Sequence, residues 1–250
     1  MDLLIGEIIE HSTIDYPGEL VSVIPFCQCS FECPFCQNWR LVRMEDCETV
    51  SVETIVQQMA RNKKFITGVC VTGGEPTLQI EGLTELLKQT RNLGLLNKID
   101  TNGFFPMRLE KLLSSNLIDY VALDIKAPLI PEKYGRMIGK PKLGEEAVTR
   151  VKQTLELLAN STTQFETRTT VVPTINDTEE DIEQIVRKLK EFNVGRHILQ
   201  QFLASGGTLR KDFSKLPATD HDHLIKLGLI AKKFIPDIWI RTIEAGHEKI

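Results

Sequence analysis

Along the chain the apolar positions switch repeatedly between a period of two and a period near 3.6, which predicts strands alternating with helices. Residues 21–24 with Phe26 read as a strand that runs directly into a cysteine-rich stretch. Val52, Ile55, Val56 and Met59 recur at helical spacing behind Ser51, a residue suited to an N-cap. Residues 66–71 predict a buried strand ending in Thr72-Gly73-Gly74-Glu75-Pro76. Ile80, Leu83, Leu86, Leu87 and Thr90 predict a helix that Gly94 ends. Residues 98–101 predict a short strand closed by Asn102-Gly103, and Pro106 suits the first turn of a helix reaching residue 115. A fourth strand is expected over 120–125. Pro128, Pro131, Gly135, Gly139 and Pro141 make 127–142 a loop or lid. An amphipathic helix follows on Ala147, Val148, Val151, Leu155 and Leu158. A Thr- and Val-rich strand over 165–172 stops at Pro173. Asp177 or Thr178 then caps a helix with Ile182, Ile185, Val186 and Leu189 on its core face. The remaining elements are a strand at 197–202, a Gly-bearing loop to residue 216, a helix near 219–234 and a last strand at 238–242.

Strands alternating with helices of this length imply parallel strands joined by right-handed crossovers. At least six units are visible, and eight are reached only by stretching the count. The expected fold is therefore α/β, a partial (β/α)6 TIM-like barrel formed by one domain over residues 1–250. In such folds the chemistry gathers at the C-terminal ends of the strands. The chemically unusual residues of this chain all fall at those ends.

Composition narrows the picture. Of 250 residues, 42% are hydrophobic, enough for a sizeable core. The balance of 30 basic against 34 acidic side chains gives a net charge of −4, which does not suggest nucleic acid as a partner. The basic cluster Arg61-Asn62-Lys63-Lys64 reads as a solvated helix end. No apolar run is long enough to span a membrane, and the N-terminus lacks the basic start and apolar core of a signal peptide. Six Cys in such a chain point to a reducing cytoplasm, where thiols serve metals or catalysis.

Cys29, Cys33 and Cys36 stand at C-x3-C-x2-C spacing directly after the first predicted strand. Three thiolates on one loop can hold three irons of a four-iron, four-sulfur cluster and leave the fourth iron open. A purely electron-carrying cluster normally takes four Cys. Structural zinc is the alternative, but it usually shows a second C-x2-C or Cys/His pair. Here Cys47 and Cys70 are isolated, and the five His form no such pair. Cys27 could be a fourth ligand or a disulfide partner; at the end of a strand it reads best as a small apolar residue.

Other strand ends carry polar groups with ordinary readings of their own. Gly73-Gly74-Glu75-Pro76 is also a plausible turn, and Asp100-Thr101-Asn102-Gly103 is rich in turn-forming residues. Asp124 and Lys126, two residues apart, share a strand face and could be a surface ion pair. Arg168 lies within a strand, where it faces solvent or needs a buried partner. Gln200 and Gln201 are adjacent, so only one of them can face any given side of the sheet.

Taken together these segments resemble the radical S-adenosylmethionine (SAM) superfamily. The Cys loop carries an aromatic, Phe35, just before its last Cys, and Gly73-Gly74-Glu75-Pro76 resembles the family's GGEP motif. The Asp100–Gly103 and Asp124–Lys126 segments resemble those of glycyl-radical-enzyme activases. Ser12-Thr13-Ile14-Asp15-Tyr16-Pro17-Gly18, with R-T-T-V-V-P from Arg168 and L-Q-Q-F from Leu199, looks like the anaerobic ribonucleoside-triphosphate reductase activating proteins. The resemblance implies that Cys29, Cys33 and Cys36 ligate the cluster and are catalytic. It implies that the Gly73 and Gly74 backbone lets S-adenosylmethionine approach, with Glu75 or its neighbours receiving the ammonium. Asp100 and Asn102 would serve the ribose or a nearby monovalent cation, Lys126 with Asp124 the methionyl carboxylate, and an inward Arg168 the same carboxylate. Phe35 is expected against the adenine. Gln37 stands where many relatives have His, and Gln200 or Gln201 where several carry an adenosyl-contacting His.

The implied activity is one-electron cleavage of S-adenosylmethionine, followed by hydrogen abstraction from a glycine of a partner anaerobic ribonucleotide reductase. The implied electron donor is a reduced flavodoxin or ferredoxin-type protein. The sequence shows no Cys-rich extension of the kind many peptide-modifying relatives carry, which favours an activase. The alternatives are a radical SAM enzyme acting on a small molecule or another peptide, such as a 7-carboxy-7-deazaguanine synthase-like reaction, and a non-catalytic iron–sulfur module.

Overall fold

A computed structural model describes residues 1–250. In chain order the strands and helices are β1 (Asp2–Ile5), β2 (Ile9–Ser12), β3 (Val21–Phe26), α1 (Trp39–Val42), β4 (Glu48–Ser51), α2 (Val52–Asn62), β5 (Gly68–Gly73), α3 (Ile80–Asn92), β6 (Leu96–Thr101), α4 (Pro106–Ser114) and β7 (Tyr120–Asp124). They continue with α5 (Pro131–Met137), α6 (Gly144–Ala159), β8 (Gln164–Val171), α7 (Glu179–Glu191), β9 (Arg196–Gln201), α8 (His221–Ala231), β10 (Asp237–Thr242) and β11 (Gly246–Lys249).

The chain packs as two compact units. The first comprises Met1–Ser30, Arg40–Ala122 and Ser161–Gln164; the second comprises Phe31–Trp39, Leu123–Asn160 and Phe165–Ile250. In the first unit the strand order is β4-β1-β3-β5-β6, with β2 also on β3. β3, β5 and β6 run parallel, Val21 pairing with Gly68 and Gly68 with Leu96. β1, β2 and β4 add antiparallel pairings. In the second unit β8, β9 and β10 run parallel, and β11 closes the edge antiparallel to β10.

Local chemistry accounts for the element ends. The Ser51 hydroxyl accepts from the Thr54 amide at 3.1 Å to start α2, and Val52, Ile55 and Met59 supply its buried face. Thr178, one of the two expected caps, accepts from the Asp181 amide at 3.1 Å to start α7. Gly94 takes φ +79° just past α3, a left-handed conformation that most side chains disfavour. The basic residues Arg61, Lys63 and Lys64 are exposed at the end of α2, as expected.

Two expectations are corrected. Residues 127–142 hold a helix, α5, with Tyr134, Gly135 and Met137 buried. Pro131 occupies its first turn, where the missing N–H costs nothing, so the Pro and Gly density that suggests a loop here marks helix boundaries. Gly135 and Gly144 let α5 and the start of α6 pack backbone to backbone, since a Cβ on Gly144 would lie 2.0 Å from the Pro131 carbonyl oxygen. The other correction concerns β1, β2, β4 and β11. Each has four residues, too short for an alternation to stand out.

Candidate active site

In the first unit, β3 delivers the chain to Cys29, and the turn after β5 holds that point in place. Gly74 donates to the Phe26 carbonyl and Glu75 to the Gln28 carbonyl, both at 2.8 Å. A Cβ on Gly74 would lie 1.8 Å from the Gln28 oxygen, and one on Gly73, at φ +108°, would lie 2.3 Å from the Phe26 oxygen. Both glycines are therefore required by the chain's own backbone at the root of the Cys loop. This requirement stands beside the ligand approach expected of the same two residues.

Glu75 is fully buried. Its carboxylate accepts from the amide and hydroxyl of Thr77, the Thr101 hydroxyl at 2.8 Å and the Asn102 amide at 2.8 Å. Burial pushes the Glu75 carboxyl up, against the pull of those hydrogen bonds. Its two oxygens are committed to the ends of β5 and β6, so its role is to position them; an ammonium would be left to its neighbours. Asn102, held by Glu75, donates through its side chain to the Cys29 sulfur at 3.6 Å and the Ser30 hydroxyl at 3.0 Å. Asn102 is thus brought together with the first Cys of the loop.

Asp100 has a partner that sequence reasoning missed. Lys98, on the same face of β6, is fully buried and forms an ion pair with the Asp100 carboxylate. Its ammonium also lies 3.4 Å from the Cys70 sulfur, and Thr72 donates to Asp100 at 3.1 Å. The signal was available: Lys98-x-Asp100 repeats the two-residue acid–base spacing noticed at Asp124-x-Lys126.

The second unit holds Cys33, Phe35, Cys36 and Gln37. The Cys36 amide donates to the Cys33 carbonyl at 3.0 Å, a turn that groups these two residues. The following stretch braces it, with Leu209 N–H on the Cys36 carbonyl at 3.2 Å and Arg210 N–H on the Pro34 carbonyl at 3.0 Å. Phe35 is buried, and the exposed Gln37 side chain donates to the Leu203 carbonyl. Burial pushes the Cys36 thiol up, while the Lys126 ammonium pulls it back. For Lys126, burial favours the neutral amine, but the Asp124 carboxylate at 2.7 Å and the nearby Cys33 outweigh it, so the net shift is upward.

Asn176, another residue not anticipated, locks this strand end. It accepts from the Val172 amide at 2.7 Å and donates to the Lys126 and Thr170 carbonyls at 3.0 Å each. Arg168 is almost fully buried and pairs with Glu166 on the same face of β8 at 2.5 Å. This is the partner that a buried Arg requires, supplied at the same spacing as the other two pairs. The Gln alternative is also resolved. Gln201 is committed to the Thr219 carbonyl, the Ile243 amide and the Glu244 carboxylate. Gln200, on the opposite face and in register with Thr170 and Arg241, makes no such bonds.

Cys27 is neither ligand nor simple filler: it is joined to Cys47 in a disulfide with a Cα–Cα separation of 6.3 Å. Cys29, Cys33, Cys36 and Cys70 are not joined in any disulfide. The side chains as placed form no group of three His, Cys, Asp or Glu at metal-holding separation. The fit to an iron–sulfur cluster rests instead on donor chemistry, three unoxidised thiols within eight positions of one loop.

Comparison with known proteins identifies the class. Residues 23–189 match the radical SAM superfamily. The chain is 35% identical to a Methanocaldococcus jannaschii protein provisionally assigned as a glycyl-radical enzyme activating enzyme, over 99% of this chain and 100% of that one. It is 29% identical over 181 residues to the pyruvate formate-lyase-activating enzyme of Clostridium pasteurianum, covering 71% of this chain and 72% of the relative. Among solved structures, TYW1 with a lysine-pyruvate adduct bound shares the fold, with a TM-score of 0.67 at 20% identity over 90% of this chain and 77% of that one. The chain therefore belongs to the radical SAM superfamily, and its α/β fold, with a mostly parallel sheet, is of that type. Membership implies a four-iron, four-sulfur cluster and S-adenosylmethionine. No helix is long and apolar enough to cross a membrane.

Proposed function

We propose that this chain is a glycyl-radical enzyme activating enzyme whose partner is an anaerobic ribonucleoside-triphosphate reductase, with a reduced flavodoxin or ferredoxin-type protein as electron donor. The observation that carries the activase reading is the similarity to the M. jannaschii protein along essentially the full length of both chains. The choice of partner is supported by the segments Ser12–Gly18, R-T-T-V-V-P and L-Q-Q-F.

When bound, the cluster would supply the electron for reductive cleavage of S-adenosylmethionine, the chemistry by which hydrogen would be taken from a glycine of the partner. The chain's own residues bind and orient. Cys29, Cys33 and Cys36 would hold the cluster. Glu75 and Asn102 fix the position of Cys29, and the Gly73-Gly74 turn fixes the strand end before it. Lys126, kept cationic by Asp124, meets the methionyl carboxylate, with Arg168 as a second cation on that group. Asp100 serves the ribose or a monovalent cation, Phe35 lies against the adenine, and Gln37 and Gln200 serve the adenosyl end.

The test is anaerobic reconstitution and reduction, followed by assay for 5'-deoxyadenosine and, with the reductase present, electron paramagnetic resonance (EPR) of a glycyl radical. Cys29→Ala, Cys33→Ala and Cys36→Ala should each lose the cluster. Deoxyadenosine without a glycyl radical, accompanied by turnover of a small molecule, removes the activase reading. An intact, reducible cluster that yields no deoxyadenosine removes the enzyme reading altogether.

A further inference from the structure

We infer that Tyr134 is a positioning residue of the cluster site: its buried hydroxyl is the hydrogen-bond donor to the Cys33 sulfur once Cys33 ligates iron. The inference rests on the reading of Cys33 as a cluster ligand, and every residue it uses lies in the second unit.

Tyr134 is fully buried on α5, and its hydroxyl makes no hydrogen bond. A buried hydroxyl in that condition is costly, so a native one asks for an explanation. The groups around it are Lys126, Cys33 and Asp124. The Lys126 backbone N–H is beside the phenol oxygen, but an N–H is a donor and leaves the O–H without an acceptor. The Asp124 carboxylate holds the Lys126 ammonium at 2.7 Å, and the Lys126 carbonyl accepts from Asn176 at 3.0 Å. That leaves the Cys33 sulfur. As a thiol it is a weak acceptor. On a metal it is deprotonated outright, and a charged sulfur is a strong one.

The backbone ties α5 to the residue before Cys33. Ile138, one turn beyond Tyr134, donates its amide to the Tyr134 carbonyl at 3.0 Å, and its own carbonyl accepts from the Glu32 amide at 2.9 Å. Lys140 pairs with the Glu32 carboxylate at 2.7 Å. Gly139, at φ +70°, lets the two backbones meet, since a Cβ there would lie 2.0 Å from the Glu32 carbonyl oxygen. These contacts hold the two segments together without using the side chain of Tyr134 or of Cys33. Burial raises the Tyr134 phenol above its ordinary value, and although Lys126 opposes this, the hydroxyl keeps its proton to donate. A hydrogen bond to a ligand sulfur draws off negative charge and so favours the reduced cluster, which carries one more electron. Tyr134 thereby orients Cys33 and makes the cluster easier to reduce.

The test is Tyr134→Phe, which removes the hydroxyl and keeps the ring. As apoprotein the variant should melt no lower than the parent, because the bond is not made before metal binds. A lower Tm assigns the hydroxyl a structural bond and overturns the inference. Both proteins are then loaded with iron and sulfide without oxygen, titrated by potential under EPR, and compared by pulsed EPR in light and heavy water. The variant's midpoint should move to a more negative potential, and it should lose an exchangeable-proton coupling that the parent shows. An unchanged midpoint or an unchanged set of couplings overturns the inference. An unchanged midpoint with weaker S-adenosylmethionine binding does so by giving the hydroxyl to that ligand instead. Should Tyr134→Phe fail to load, a fluorotyrosine placed at position 134, a stronger donor of nearly the same shape, should raise the midpoint, and no rise overturns the inference. A parent that takes up no cluster fails on the ligand reading, whereas a loaded parent indistinguishable from its variant fails on Tyr134 alone. No measurement uses the reductase or deoxyadenosine, so the activase reading is tested separately.

Discussion

Lys98 offers the sharpest energetic test of the site, because its ammonium is fully buried while its partner Asp100 keeps 16% of its side chain exposed. Breaking a buried ion pair by removing one member costs about 3–5 kcal/mol, since the other charge is left uncompensated. The two halves should differ. Asp100→Asn strands a charge with no access to water and belongs near the upper figure. Lys98→Met strands a carboxylate that still has partial solvation and the Thr72 hydroxyl at 3.1 Å, so it belongs near the lower one. The double variant, with neither charge, should recover about 3 kcal/mol of the summed cost, the coupling expected of residues in direct contact. For a chain of this size about 1 kcal/mol shifts Tm by about 2–4 °C, so Lys98→Met should lower it by about 6–12 °C. Urea unfolding followed by circular dichroism under argon measures all four proteins. Strict additivity, or a Lys98→Met variant as stable as the parent, refutes the buried pair. The same proteins test the ligand role of Asp100: S-adenosylmethionine binding should fall about tenfold in Asp100→Asn, the loss of one good hydrogen bond, and hold in Lys98→Met.

Further outcomes follow from single contacts. Gly74→Ala should not yield a protein that assembles the cluster, because the added Cβ meets the Gln28 oxygen at 1.8 Å. Gly94→Ala, at positive φ but in open space, should fold and lose about 1 kcal/mol in the same urea assay. Asn176→Ala leaves the Val172 amide and the Lys126 and Thr170 carbonyls without their partner, and should cost about 2–4 kcal/mol while weakening S-adenosylmethionine binding. His221 bonds to Glu248 at 2.6 Å, and that bond holds its pKa above the ordinary histidine value. The pKa is raised on folding, so this tie between α8 and β11 contributes fully below the unfolded pKa and is lost as pH rises through the folded one. An NMR titration should show His221 titrating higher than in Glu248→Gln; equal midpoints would contradict the assignment.

The elements legible in the sequence are those whose signals are local and long. Val52, Ile55 and Met59 behind Ser51 specify α2 because a cap and an apolar stripe act within one helix. The strands entering the Cys loop and the Gly73-Gly74 turn are legible for the same reason. Residues 127–142 are misleading because Pro131 and Gly135 break structure in most settings. Here one sits at a first turn, and the other lies where two backbones approach.

The sequence by itself determined the donor chemistry: three thiols at C-x3-C-x2-C spacing, an aromatic beside the last, and acids, bases and amides at successive strand ends. Those facts depend only on residue type and distance along the chain. Tertiary structure alone decided which of those groups are available. It paired Cys27 with Cys47, 20 residues away, and committed Glu75 to Thr101 and Asn102 of the neighbouring strand. It also separated Gln200 from Gln201 through contacts with Thr219 and Glu244. The physical reason is common to all three: whether a side-chain atom is open to a ligand depends on partners distant in sequence that take up its hydrogen bonds or, for the thiol, its covalent valence.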